Sequence, residues 1–131
     1  MNISQLAKQT GVSAKMIRYY ESIGLIPQAL RDHNGYRLYQ ITDIERLQFI
    51  AQARQLGFSL EKIQTLLQLW QNKCRQSADV KKIAEQHVRI LTAKIEQLQH
   101  MKQQLESWIV DCAGNDQPDC NILKNISKKS H

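Results

Sequence analysis

Two cysteines near the carboxyl end are the residues with the most distinctive chemistry. Cys112 and Cys120 bracket a seven-residue segment that contains Gly114 and Pro118. Glycine permits a tight turn and proline restricts the return path, so the two sulfurs can converge. Two converging thiolates suit a soft ion that accepts few ligands, above all Cu(I). A structural zinc site uses four Cys or His ligands, and the sequence offers no matching second pair. The alternative is that the two cysteines are unrelated and merely buried.

The redox state of these thiols follows from the expected compartment. The amino terminus, MNISQLAKQTG, has no apolar core after a basic start, and no stretch reaches about 18 apolar residues. We therefore expect a cytoplasmic chain with no membrane segment, in which cysteines stay reduced. Cys74 is expected to be a surface thiol, with an additional metal ligand as the alternative. The four histidines share no ligand spacing and receive no metal role: His33, His87, His100 and His131.

A second set of residues could contact a polyanion. Lys15, Arg18 and Tyr19 lie three and four apart with Ser22, so they share one face of a helix. The opposite face is apolar and can pack inward (Met16, Ile17, Tyr20 and Ile23). A helix that enters the major groove of DNA needs this division between an anchored face and a face of cations and donors. The alternative is an ordinary solvated helix face.

The residues that follow strengthen the DNA hypothesis. A short stretch adds two cations and two neutral donors that suit phosphate contact: Arg31, Asn34, Tyr36 and Arg37. The charge is also uneven along the chain. Residues 1–75 hold 10 basic and 5 acidic side chains, whereas residues 76–131 hold 8 and 7, so most of the net charge of +6 lies in the first part. A basic first part favours a polyanion partner.

Helices must position most of these residues. The pattern predicts a first helix from near Asn2 or Ser4 to Gly11 and a second capped by Ser13 that ends at Gly24, the spacing of a helix-turn-helix. Asn34-Gly35, two residues that tolerate positive φ, predicts a small two-stranded wing. Thr42 with Glu45 predicts a capping box for a third helix that ends at Gly57, and Ser59 caps a fourth that runs to about Asn72.

A long fifth helix is predicted from a cap at Ser77 to near Val110. Its apolar residues alternate at spacings of three and four, typical of a coiled coil: Val80, Ala84, Val88, Leu91, Ile95, Leu98, Leu105 and Trp108. Such a rod cannot bury its stripe against so small a domain, so a second copy of the chain is the simplest partner. A two-fold dimer should prefer a pseudo-palindromic DNA site.

Together these patterns predict a mainly α fold in three parts. Residues 1–75 form a winged helix-turn-helix DNA-binding domain with hinge helices, residues 76–110 a long antiparallel coiled-coil dimerisation helix, and residues 111–131 a metal-binding loop and tail.

The chain resembles the MerR family of metal-responsive transcription regulators, and within it the copper-responsive CueR branch. The resemblance runs from Met1 to about Leu123 and is carried by these stretches: MNISQLAKQTGVSAKMIRYYESIGLIP, NGYRLY, ARQLGFSLEKIQTLLQLW, RQSADVK and CAGNDQPDC. It implies that Cys112 and Cys120 hold one Cu(I), or Ag(I) or Au(I), in a linear two-coordinate site in each subunit. It implies that Lys15, Arg18 and Tyr19 lie on the recognition helix, that Arg31, Asn34, Tyr36 and Arg37 lie on the wing, and that all seven contact DNA.

The resemblance also implies how the metal is selected and read out. Related sensors of divalent ions carry a third cysteine where this chain has Ser77, which the resemblance assigns to the other subunit. Two thiolates and a monovalent ion keep one negative charge, which a helix amino terminus favours. The implied function is a homodimeric activator that distorts promoter DNA for RNA polymerase and so switches on metal efflux or detoxification genes.

Some alternatives remain open at this stage. Ala113 and Pro118 are similar to the loop of gold-responsive relatives, so copper, silver and gold all remain possible inducers. A cytosolic copper chaperone would explain the two cysteines but leave the basic first half without a role. A drug-sensing regulator of the same family would need a larger effector domain. An enzyme is not expected, because the sequence has no phosphate-cradling glycine loop and no nucleophile–base arrangement.

Overall fold

The structure is a computed structural model that describes residues 1–115 and 118–128. It divides into two compact units, Met1–Val80 and Lys81–His131. None of the helices in the described ranges is long and apolar enough to span a membrane. The elements in chain order are α1 (Ile3–Thr10), α2 (Ala14–Ser22), β1 (Leu30–Arg31), β2 (Arg37–Leu38), α3 (Ile41–Gln55), α4 (Leu60–Gln71), α5 (Ser77–Val110) and α6 (Asn121–Ser127).

The first two helices form as their caps predict. The Asn2 side chain accepts a hydrogen bond from the backbone N–H of Gln5 at 2.8 Å, and the Ser13 hydroxyl accepts from Met16 at 3.1 Å. Gly11 then ends α1 in the left-handed conformation, with φ 74°, that glycine adopts without steric cost. These caps fix the helix-turn-helix at the residues expected from the sequence.

The core of the first unit lies between α1, α2, α3 and α4. Its fully buried members include Leu6 on α1, Ile17 on α2, Leu47 and Ile50 on α3, and Ile63 on α4. At the edge of the core Phe49 stacks on Trp70, with ring centroids 4.7 Å apart and an interplanar angle of 16°. The apolar face of α2 is therefore anchored, which leaves its other face outside.

The wing forms, but its turn differs from the one expected. Arg31 pairs with Arg37 in an antiparallel register, which leaves a five-residue loop between the strands. Gly35 has φ 82° whereas Asn34 does not take a positive φ, so the expected Asn-Gly turn is wrong. The reason is Asp32, whose carboxylate accepts the backbone N–H groups of Asn34 and Tyr36 at 2.9 and 3.0 Å and sets a wider loop.

Two helix starts differ by a residue or two from the expected positions. The predicted capping box of Thr42 and Glu45 is wrong: α3 begins at Ile41, and the Asp43 carboxylate accepts the backbone N–H of Gln40 at 2.8 Å. An acidic residue at the same spacing of three starts the helix, two residues earlier than expected. Ser77 is itself the first residue of α5 rather than its cap.

The second unit holds most of α5 and a helix that the sequence reasoning missed. At 1.5 Å per residue, the 34 residues of α5 make a rod of about 51 Å. Its apolar stripe stays exposed in the single chain, with Val88, Ile95 and Leu98 each more than half exposed. After the cysteine segment the chain forms α6, where only a tail was expected. The predicted three-part division of the chain stays a prediction.

Candidate nucleic-acid interface and metal centre

The recognition helix α2 presents the expected side chains outward. Lys15, Arg18 and Tyr19 are exposed, while Ile17 and Tyr20 on the other side are buried. Ile23, expected to pack inward, is 43% exposed because the helix ends at Ser22. The anchored and free faces are therefore divided as a groove-reading helix requires.

Three arginines converge between the recognition helix and the wing. A cleft of about 400 Å³ is lined by Arg18 of α2 and by Arg31, Tyr36 and Arg37 of the wing, together with Asn2, Ile3 and Gly35. Arg31 is held in place because its guanidinium donates to the carbonyl oxygen of Gly35 at 2.7 Å. Arginine side chains pair well with phosphate in geometry and charge, so a cleft lined by three of them is a candidate phosphate site.

The other predicted contact residues lie outside this cleft. Lys15, Tyr19 and Asn34 are exposed and do not line it. The structure therefore brings four of the seven predicted residues together around one concavity. The assignment of all seven to DNA stays a prediction.

A buried glutamate that the sequence reasoning missed joins the recognition helix to the wing. Glu21 is 8% exposed, and its two carboxylate oxygens accept the backbone N–H of Ala29 at 2.8 Å and the hydroxyl of Tyr39 at 2.9 Å. The Arg37 Nε lies 3.9 Å from the same carboxylate. The only signal in the sequence was an acidic residue on the inward side of α2. Its hydrogen-bond partners lie 8 and 18 residues further along the chain, so the sequence did not reveal them.

This contact changes the acidity of Tyr39. Burial, the hydrogen bond to Glu21 and the negative charge of that carboxylate raise the pKa of Tyr39 from its ordinary value of 10.0 to about 12. The hydroxyl therefore remains a donor to Glu21 throughout the neutral range.

The two cysteines of the second unit do come together. The sulfur atoms of Cys112 and Cys120 lie 3.7 Å apart, too far for a disulfide bond and close enough for one thiol to hydrogen-bond the other. Cys112 extends the last turn of α5, because its backbone N–H donates to the carbonyl of Ile109 at 3.0 Å. Cys120 is the N-cap residue of α6.

The start of α6 favours the thiolate of Cys120. The backbone N–H groups of Leu123 and Ile122 and the Cys112 side chain lower the pKa of the Cys120 thiol, against the smaller opposing effect of burial. A thiolate is the form that binds metal, so the local backbone prepares Cys120 as a ligand.

The donor set fits one soft ion of low coordination number. Metal–thiolate bonds measure about 2.3 Å, so two sulfurs can share one ion at separations up to about 4.6 Å. The observed 3.7 Å lies within that reach, and a linear site would need the sulfurs to separate further by about 0.9 Å. In the ranges 1–115 and 118–128 no group of three or more His, Cys, Asp or Glu residues could hold a metal.

Ser77 and the third cysteine, Cys74, both lie near the start of α5. Ser77 is exposed and belongs to the first unit, whereas both metal cysteines belong to the second. Cys74 is an exposed thiol just before α5. The role implied for Ser77 stays a prediction, and His131 lies outside the described residues.

The comparison with known families agrees with this architecture. Residues 1–70 match the family described as MerR HTH family regulatory protein, and residues 44–108 match the one described as MerR, DNA binding. The chain belongs to the MerR family. It is a transcription regulator of the helix-turn-helix class and not an enzyme.

Individual MerR relatives cover nearly the whole chain. The heavy metal-dependent transcription regulator 2 of Rhizobium meliloti is 47% identical over 99% of this chain and 88% of its own length. The HTH-type transcriptional regulator CueR of Salmonella typhi is 43% identical over 100% of this chain and 95% of its own length. The crystal structure of PbrR691 from Ralstonia metallidurans CH34 with lead(II) has a TM-score of 0.81 at 27% identity, covering 97% of this chain and 99% of that one.

Proposed function

We propose that the chain is a Cu(I)-responsive activator of the MerR family, which binds promoter DNA as a homodimer and works with RNA polymerase at the same promoter. The observation that carries the proposal is the pair of sulfurs, Cys112 and Cys120, 3.7 Å apart after the last turn of the long helix. The full-length similarity to a regulator named CueR supports the copper assignment. The proposed compartment is the cytoplasm, where thiols remain reduced.

Charge supports the choice of a monovalent ion. Cys112 and Cys120 as thiolates carry two negative charges, so one Cu(I), Ag(I) or Au(I) per subunit leaves one negative charge and a divalent ion leaves none. The backbone N–H groups of Ile122 and Leu123 stabilise residual negative charge at the sulfur of Cys120. Cys112 and Cys120 would hold the ion, which would then tie the end of α5 to the start of α6.

The exposed stripe of α5 supports the homodimer. Val88, Ile95, Leu98, Leu105 and Ile109 are each at least 45% exposed in the single chain, along one long helix. Contiguous exposed apolar surface of this kind marks an interaction site. Pairing two copies buries the stripe and places two recognition helices at a fixed separation, as a pseudo-palindromic promoter site requires.

The proposed regulation is a shift between two DNA-bound conformations. Bending or untwisting a promoter site costs about 1–6 kcal/mol. Metal binding at Cys112 and Cys120 must therefore favour the distorting conformation by a few kcal/mol over the other. In the proposed mechanism Arg18, Arg31 and Arg37 contact the promoter DNA in both conformations. RNA polymerase then recognises the deformed promoter and expresses metal efflux or detoxification genes.

The test is a titration of promoter activity with copper, silver, gold and zinc salts. We expect transcription to respond to the monovalent ions and not to zinc. The concentration of copper, silver or gold that gives half-maximal induction then shows which of the three is the most effective inducer. Cys112→Ser and Cys120→Ser should each abolish induction and leave promoter binding in a gel-shift assay. Cys74→Ser is the matched control and should respond like the parent chain.

The outcomes separate the alternatives. A gold or silver response stronger than the copper response would reassign the inducer within the same site. Metal binding without any promoter binding would favour the cytosolic chaperone. Full induction in either cysteine variant would contradict the assignment of that ligand.

A further inference from the structure

We propose that Asn121 is a positioning residue of the metal centre: its side-chain amide ties the start of α6 to the end of α5 and so holds Cys120 beside Cys112 before any ion binds. The inference rests on the metal-binding function proposed above. It concerns the geometry of the metal-free chain, which can be measured on its own.

The two cysteines adjoin different helices. Cys112 continues the last turn of α5 through the hydrogen bond of its N–H to Ile109. The carbonyl of Cys120 accepts the backbone N–H of Lys124 at 3.1 Å, so Cys120 moves with α6. The distance between the sulfurs therefore depends on how the ends of these helices are held together.

Asn121 makes that connection. Its Nδ2 donates to the carbonyl oxygen of Trp108 at 3.3 Å. Trp108 is among the last four residues of α5, whose carbonyls have no partner within the helix. The side-chain amide of Asn121, the first residue of α6, thus donates a hydrogen bond to a carbonyl oxygen at the end of α5.

A second amide orients Asn121. The Nδ2 of Asn125 donates to the Oδ1 of Asn121 at 2.9 Å and to its backbone carbonyl at 2.8 Å. Because the Oδ1 accepts from within α6, the Nδ2 on the other side of the amide is directed to α5. Both side chains are half-buried, which limits competition from water.

The consequence for metal binding is preorganisation. An ion that bridges Cys112 and Cys120 closes the segment between them, and ordering a free segment costs conformational entropy. A chain that is already closed by the bond from Asn121 to Trp108 loses less entropy on binding. Removing this bond should therefore weaken binding without removing a metal ligand.

The experiment compares Asn121→Ala with its parent in a Cys74→Ser background, so that only the two metal thiols remain. The first readout is Ag(I) affinity by competition with a chelator, which we expect to fall about three- to tenfold, as one hydrogen bond of typical net strength implies. The second readout needs no metal. It is the effective concentration of the two thiols, from the equilibrium of their disulfide with glutathione, and it should fall by a similar factor.

Ser127→Ala is the matched control. It removes another hydrogen bond of α6, from the Ser127 hydroxyl to the carbonyl of Lys124 at 2.9 Å, without touching α5. It should leave both readouts unchanged.

Two outcomes decide against the proposal. Equal values for Asn121→Ala and its parent would overturn it, and an equal loss in Ser127→Ala would reassign the effect to the stability of α6. If the parent binds no Ag(I), the proposed metal function fails, while the thiol measurement still decides whether Asn121 holds the two cysteines together.

Discussion

The hydroxyl of Tyr39 donates a 2.9 Å hydrogen bond to the carboxylate of Glu21, and this bond joins the end of the wing to the recognition helix. The other oxygen of Glu21 accepts the backbone N–H of Ala29, just before the wing begins. One buried carboxylate thus holds both ends of the wing against α2. The relative position of Arg18 and Arg37, which line one cleft, depends on this contact.

Tyr39→Phe should destabilise the protein and change its response to alkaline pH. Loss of the donor leaves a buried carboxylate oxygen of Glu21 without this partner, at a cost of about 1–3 kcal/mol in the free energy of unfolding. Because the pKa of Tyr39 in the folded state is raised to about 12, its contribution to stability is complete below about pH 10 and is lost between pH 10 and 12. The variant should lack that part of the alkaline loss.

The measurement is denaturant unfolding of both proteins at pH 7 and across pH 10 to 12. Tyr36→Phe is the control, because its side chain is 70% exposed and the substitution should change stability by less than about 0.5 kcal/mol. An identical alkaline profile for Tyr39→Phe and the parent would contradict the role given to the buried hydroxyl.

Arg18→Ala should weaken promoter binding, because Arg18 is exposed on the recognition helix and lines the arginine cleft. If Arg18 reads a base, the binding free energy falls by about 1–3 kcal/mol and sequence specificity relaxes at one position of the site. If Arg18 contacts a phosphate, the slope of the logarithm of the binding constant against the logarithm of the salt concentration becomes shallower by about one. Binding isotherms at several salt concentrations distinguish the two.

Arg89→Ala removes the same charge from an exposed position of α5 and serves as the control. Equal affinities for Arg18→Ala and Arg89→Ala would remove Arg18 from the interface.

Leu98→Glu should convert the dimer to a monomer. Leu98 is 61% exposed in the single chain, on the apolar stripe of α5, and a charge there must be desolvated when two stripes pair. Sedimentation velocity should show the change in mass, and promoter binding should weaken because the two recognition helices are no longer linked. Gln103→Glu, exposed on α5 and not part of the apolar stripe, is the control. A dimeric Leu98→Glu would place the interface elsewhere.

Ser77→Cys should broaden the metal response toward divalent ions. Ser77 begins α5, and a third thiolate at this position would add the negative charge and the ligand that a divalent ion needs. Induction by zinc, measured with the same promoter, should appear in the variant and stay absent in Ser77→Ala. An unchanged metal profile would contradict the charge argument for selectivity.

Local signals made much of the fold predictable. The caps at Ser13 and Ser59 and the glycines that end helices act within a few residues, so the starts of α2 and α4 are correct. The prediction of a tight Asn34-Gly35 turn in the wing was wrong, because the Asp32 carboxylate binds the backbone N–H of Asn34 and so outweighs the tolerance of Asn34 for positive φ. Propensity alone does not reveal such a contact.

The candidate sites were predictable where residue type sufficed. Cys112 and Cys120 stood out by chemistry and spacing, and their sulfurs do meet. Glu21 and Asn121 did not stand out, because their roles depend on partners such as Tyr39 and Trp108 that folding brings close. The helix α6 was missed because seven residues carry too little periodicity to be recognised.

The most direct test of the metal centre is X-ray absorption spectroscopy of the reduced protein loaded anaerobically with Cu(I). The account predicts one ion per chain bound by two sulfur atoms and by no nitrogen, and no binding in Cys112→Ser or Cys120→Ser. Failure to retain Cu(I), or a shell of three or four ligands, would contradict it.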